Sequence, residues 1–219
     1  RTVRMSWTAA SLLQRFTVYG RFYRASFGPR TFELRSHLEI FAAGATLPNV
    51  ANADADLVVV MMNPGASRPT EAPDSNGWAP AIPDRTQYQI MKLASHAQSR
   101  GIPMRHVRVL NLSDLRTPRS AELFAIMATL RDDTHSLFSA QRRVELLRAL
   151  GPPSVPVLRA WGLAAQMKVL AGTCVALTAS RKGLGLTDNG LEYRHPLPQR
   201  AVLQKVWLEQ LCTQVEQWP

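Results

Sequence analysis

Four side chains able to do chemistry stand where apolar runs end: Asn63 after "LVVVMM", Asn111 closing "HVRVLN", Trp161 before Gly162 in "RAWG", and His195 in "YRHPLP". An amide carries one donating and one accepting group, so Asn111 can tell a donor from an acceptor on a ring edge. Asn63 can hold a water through its carbonyl oxygen, although a neutral amide cannot take the water's proton. An imidazole such as His195 donates a hydrogen bond whether neutral or charged. Each has a plainer reading. Asn63-Pro64-Gly65 closes a strand with a turn, Asn111 caps the next turn, and a lone histidine fills a core. Asp84, ahead of "RTQYQIMKL", is either a helix N-cap or the carboxylate that activates a water held by Asn63. Asp74 is the other carboxylate nearby, and Asp114 is read as capping the segment after Asn111.

Elements that would place these groups follow from periodicity. "LVVVMM" is a continuous β-branched run suited to a strand covered on both faces, "HVRVLNLSDL" reads as a second strand, again ending in Asn, and "VPVLRAWG" as a third, buried strand. "TCVALTAS" and "LEYRHPLP" are expected as late strands. Helical spacing marks "TFELRSHLEIFAAG" (31–44), "DRTQYQIMKLASHAQSRG", "FSAQRRVELLRALG", "LAAQMKVLAG" and "QRAVLQKVWLEQLCTQVEQW". The Pro-rich "GASRPTEAPDSNGWAPAIP" is a long loop of the kind that is functional or disordered. Alternating strands and helices predict an α/β fold, a three-layer α/β/α sandwich with a mainly parallel central sheet, whose ligands bind outside the carboxyl ends of the strands. Residues 1–50 are expected to be a basic, helical extension packed on a domain spanning 51–219.

Net charge is +10, carried by 22 arginines and 4 lysines, which predicts a polyanionic partner and favours bidentate phosphate contacts. Cys174 and Cys212 form no CxxC, and His96, His106 and His135 lack metal-ligand spacing, so neither a metal nor another cofactor is expected. With no apolar run of membrane-spanning length, the expectation is a cytoplasmic monomer with no membrane partner, nucleoid-associated if it acts on DNA.

In order, "MMNPGAS", "VLNLSDLR", "RAWGLAAQ" and "YRHPLPQR" resemble the signature motifs of the uracil-DNA glycosylase superfamily, over roughly residues 57 to 211. The match is to the Asn-Pro-Gly branch, which includes mismatch-specific thymine and uracil glycosylases, and also to uncharacterised bacterial proteins with the same motif order. The resemblance implies a monofunctional enzyme that flips a pyrimidine out of DNA and hydrolyses its N-glycosidic bond. It implies that Asn63 holds the attacking water, that His195 donates to a carbonyl of the departing base, and that Asn111 reads the base edge. Trp78 in "SNGWAP" would stack on the base, while Trp161 and Gln166 support the fold. Arg181, Lys182, Arg194, Arg200 and Lys205, with Arg116 and Arg119, would clamp phosphates, and arginines before residue 36 would extend that footprint. No lysine stands in the motifs, so Schiff-base chemistry lacks a nucleophile.

Departures from the pattern bear on substrate. Gly65 replaces the tyrosine that excludes C5 groups in efficient uracil enzymes, so the pocket would admit a C5-modified or mismatched pyrimidine. A bulky modified cytosine of phage DNA, and with it a defence role, falls within that class. Met61 and Met62 reshape the pocket floor, and Gln199 with Arg200 replaces an intercalating leucine. Competing readings are a glycosylase-fold protein that binds nucleic acid without cutting it, and an N-glycosidase of free nucleosides or nucleotides.

Overall fold

The computed structural model describes residues 7–218. Helix α1 (Ala9–Arg15) leads into strands β1 (Phe16–Phe27) and β2 (Arg30–Ala42), then α2 (Leu47–Asn52), β3 (Leu57–Met61), β4 (Trp78–Pro80) and α3 (Arg85–Ser99). The chain continues through β5 (His106–Asn111), α4 (Ser120–Met127), α5 (Arg143–Leu150), β6 (Val157–Arg159), α6 (Lys168–Leu177), β7 (Gly183–Leu184) and α7 (Ala201–Glu216). All strands join one sheet in the order β4-β1-β2-β5-β3-β6-β7.

The sheet is mixed rather than mainly parallel. β4, β1, β2 and β5 pair antiparallel, whereas β5, β3, β6 and β7 pair parallel. Helices cover both faces, as expected for α/β: α1, α3 and α7 pack on Leu57, Val59, Val107 and Val109. On the other face α4, α5 and α6 pack on Val58, Val60, Leu110 and Val157.

The helical reading of residues 1–50 fails for a physical reason. Phe16, Val18 and Phe22 alternate as a strand should, and Gly28-Pro29 turns the chain back with Gly28 at φ 60°. In β2, Leu34, Leu38 and Phe41 fall at i, i+4 and i+7, which mimics a helix face. A bulge where Arg21 and Phe22 meet His37 and Arg35 shifts the alternation, so Leu38 enters one core and Leu34 the other. Residues 16–42 are therefore integral strands of the sheet, not a helical extension, while Arg1 and Arg4 lie outside the described residues.

Two smaller expectations also change. "TCVALTAS" begins as the last turns of α6, where Leu170, Ala171 and Cys174 share a buried face at helical spacing. "LEYRHPLP" is a loop in which Tyr193 makes only single bridges, to Gly162 and to Thr187.

Candidate functional site

Asn63 is fixed by where its backbone stops. Leu112 and Ser113 donate to the carbonyls of Met61 and Met62, prolonging the parallel ladder beyond β3. Pro64 has no N–H to continue it, and Gly65 turns at φ 63°, a conformation that side chains with a Cβ resist. Asn63 Nδ2 donates to Leu115 O at 3.2 Å, to Thr117 O at 3.0 Å and to Thr117 Oγ1 at 3.1 Å. Three acceptors around one end of the amide settle which atom is nitrogen. Its Oδ1 is thus the end left for another group.

His195 sits on a loop tied at several points. Arg194 N donates to Leu186 O at 2.8 Å, and Trp207 Nε1 to Arg194 O at 3.0 Å. Gln89 Nε2 donates to Pro196 O at 3.3 Å and Gln204 Nε2 to Pro198 O at 2.7 Å, so α3 and α7 both hold it. Leu197 N donates to His195 Nδ1 at 3.1 Å. That bond requires a bare Nδ1, which places the proton of the neutral ring on Nε2. Burial pushes the imidazole pKa below its ordinary value, against the opposing pull of Asp84. The ring is a neutral Nε2–H donor at pH 7.

Asp84 links these two loops. Its Oδ1 accepts from Gln87 N at 2.9 Å in a reciprocal capping box at the start of α3. Its Oδ2 stands 3.7 Å from where a Cβ on Gly65 would lie, and its charge acts on both His195 and Arg35. Capping uses one oxygen, so the two expectations for Asp84 do not compete. The Asn-Pro-Gly turn and the His-Pro-Leu-Pro loop both lie near the N-terminus of α3.

Asn111 pairs with Met61 in the parallel register and alternates with Val107 and Val109 toward the α3 face. It is wholly buried, and neither Nδ2 nor Oδ1 finds a partner among the described residues. It caps nothing. A buried amide with no partner is costly, so such a group invites a ligand explanation. Met62 is half-buried against the opposite core, beyond the end of β3.

Several expected residues lie elsewhere. Trp78 pairs opposite Arg21 on the edge strand and tilts on His37, 6.1 Å away. It lines a cleft of about 510 Å³ with Arg108, Glu145 and Arg148 on the α5 side of the sheet, so it cannot stack on a base read by Asn111. Arg181 and Lys182 precede β7 at the amino ends of the parallel strands, away from the rim of Asn63 and Asn111. The Arg181 guanidinium donates to the carbonyls of Leu150, Gly151 and Pro152, fastening the end of α5, and Lys182 lies over Trp218. Neither is a phosphate clamp for that rim. Trp161 packs edge-on to Tyr193 and donates to Leu191 O, the supporting role expected of it, whereas Gln166 is exposed.

Of the other basic candidates, Arg116 donates to Ser67 O and lies 5.3 Å from the Phe22 ring, beside the Asn63 loop. Arg119 and Arg200 are exposed residues preceding α4 and α7, and Gln199 is exposed beside Arg200. Arg194 pairs with Asp188 at 3.0 Å, and Lys205 with Glu209 at 3.6 Å. His195 lines a mostly apolar cleft of about 360 Å³ with Gly162, Leu163, Pro198, Leu203 and Trp207, which includes neither Asn63 nor Asn111.

Sequence reasoning counted Arg35 only among the arginines extending the phosphate footprint, which its burial contradicts, and missed Phe22. Arg35 pairs opposite Phe22 and is 1% exposed, and its Nε and Nη1 have no partner among the described residues. The alternation of Phe16, Val18, Gly20 and Phe22 was the available signal for a strand that presents this pair to the α3 face. Comparison with protein-family models, curated proteins and solved structures finds no match for this chain.

Proposed function

We propose that the chain is a monofunctional DNA glycosylase on a uracil-DNA glycosylase-like fold, acting on a C5-modified or mismatched pyrimidine. The observation that carries this reading is Asn111: a fully buried amide whose donor and acceptor are both unpaired among the described residues, at the carboxyl end of a central strand. A pyrimidine edge supplies the complementary acceptor and donor.

The chemistry then divides among three groups. Asn63 Oδ1, oriented by the three acceptors around Nδ2, holds water for attack at the anomeric carbon. The neutral Nε2–H of His195 donates to a carbonyl oxygen of the base as the N-glycosidic bond breaks and negative charge moves onto the ring. Asp84 Oδ2, beside Gly65, takes the proton from the water as it adds to the sugar. Gly65 leaves room for a C5 substituent, and the charge of +10 supports DNA as partner.

Excision from oligonucleotides bearing uracil, mismatched thymine and C5-substituted cytosines, read as alkali-labile abasic sites, tests the proposal. Asn63→Ala and His195→Ala are each expected to slow excision by about 10²–10³. Undiminished cleavage in both variants would overturn the site. A second reading, binding without excision, is favoured by the His195 cleft that excludes Asn63 and Asn111. Tight, salt-sensitive binding with no abasic product on any substrate would select it, and base release from free nucleosides would point to a nucleosidase.

A further inference from the structure

Of the eight buried side-chain polar atoms without a partner among the described residues, six belong to Arg35, Ser67, Asn111 and Asp114. Arg35, Ser67 and Asn111 stand at one rim, whereas the Asp114 carboxylate turns to Tyr23 and Arg142 on the other face. Asn111 ends β5, and Asp114 O accepts from Arg35 N at 2.9 Å. Ser67 O accepts from Arg116, whose guanidinium lies over Phe22, the β1 partner of Arg35. Native interiors pair nearly all such atoms, so a concentration of this kind marks a place where a ligand completes the bonding.

Arg35 is the least expected member. Gly20 makes room for it: a Cβ there would come within 3.2 Å of Arg35 Cδ and within 2.6 Å of the Phe22 ring. No carboxylate among the described residues pairs with its guanidinium, although Asp84 and Asp114 contribute favourable field. Burial lowers its pKa to about 10, which still leaves it charged at neutral pH. A charge buried without an ion pair does not stabilise a fold. Its two free N–H groups can only donate, so they call for an acceptor on the ligand. With an exposure of 1%, Arg35 lies too deep for the phosphodiester backbone, which stays at the surface.

We infer that Arg35 determines specificity at this site, its Nε and Nη1 donating to an oxygen carried on the pyrimidine's C5 substituent. The inference rests on the glycosylase reading and names the residue that would choose among its substrates. Asn111 and His195 engage the ring itself. Arg35 approaches from the hairpin, and Asp84, near both Arg35 and Gly65, offers an acceptor for a hydroxyl on the same substituent.

Single-turnover excision separates the two ideas. Duplexes carrying uracil, thymine, 5-methylcytosine, 5-hydroxymethylcytosine and 5-carboxylcytosine are compared for the unsubstituted protein, Arg35→Met and Arg35→Gln. The unsubstituted protein is expected to favour at least one oxygen-bearing base by about tenfold or more over its hydrogen or methyl counterpart. Arg35→Met should erase that preference while leaving the slower substrates within a few fold, and should melt no lower than the parent because no internal partner is lost. If Arg35→Met does not fold, Arg35→Gln is held to the same ranking. A preference that survives substitution, or an equal loss on every base, overturns the inference alone. Failure of the unsubstituted protein to excise any base overturns the glycosylase reading and this inference with it.

Discussion

The two halves of the sheet solve different problems. In the parallel half, β3 is buried along its whole length with apolar side chains, and polar groups appear only past its end, at Asn63. The antiparallel half keeps charge inside. Glu39 on β2 is wholly buried and accepts from His106 Nε2 at 2.6 Å and Arg108 Nε at 2.7 Å across the seam with β5. Farther along, Asp114 Oδ2 accepts from Tyr23 at 2.8 Å and from Arg142 at 2.6 Å, and burial lifts the Asp114 pKa to about 6. Apart from Arg159 on β6, held by Thr178 and Tyr193, the parallel half is aliphatic and can place end groups with little cost, whereas a half with buried ions depends on every partner being present. Arg35 is the exception that lacks one.

Breaking the seam should have the largest effect. Glu39→Gln leaves Arg108 without its carboxylate and is expected to destabilise by about 3–5 kcal/mol in urea unfolding. A loss below about 1 kcal/mol would show that the seam resembles the aliphatic half after all. At the rim, His195→Ala should cost about 3–4 kcal/mol of transition-state stabilisation in excision with little change in unfolding. Asn111→Leu sharpens the contrast further. Removing an unpaired buried amide should raise stability by about 1–3 kcal/mol while abolishing excision, an outcome that a structural amide would reverse.

Smaller effects test the placement of basic residues. Arg181→Ala should cost about 1–2 kcal/mol, from its bonds to the end of α5, and leave the salt dependence of DNA binding unchanged. Arg200→Ala should leave stability alone and reduce the log–log salt slope by about one. A slope altered by Arg181→Ala would return that residue to the interface.

The smallest effect is in pH. Because burial holds His195 below its ordinary pKa of 6.5, the unfolded chain binds this proton first as pH falls. Stability from this group is therefore present above pH 6.5 and lost as pH drops through the folded pKa, at no more than about 1.4 kcal/mol per pH unit. Protonating Nδ1 would also set N–H against the N–H of Leu197. Excision should stay level from about pH 8 to 6.5 and decline below. Asp114 acts with the opposite sign, its contribution fading as pH rises through about 6, so the comparison is made between His195→Gln and the parent. An activity midpoint above 6.5 would contradict a neutral donor.

What could be read from the chain follows the same division. β3 announced itself as an unbroken apolar run, β5 and β6 as short apolar runs each carrying one arginine, and Asp84 as a cap, because their sequences answer to local rules. β2 did not, since its bulge is set by pairing with β1 and its apolar spacing imitates a helix. Trp78 was misplaced for the same reason: a three-residue strand held by β1 depends on a partner more than fifty residues away in the sequence, and local pattern carries no trace of it. The arginines could be counted but not located, because a guanidinium that fastens carbonyls and one that faces solvent look alike in sequence.

The pairing of β2 with β5 also sets an order of events during synthesis. β1 and β2 leave the ribosome while β5 has yet to be translated, so the hairpin emerges with its inner edge open and its buried carboxylate unneutralised. An open edge is a template for unwanted association. A nascent chain arrested before His106 should engage chaperones, and one arrested after Asn111 and clear of the exit tunnel should be released from them.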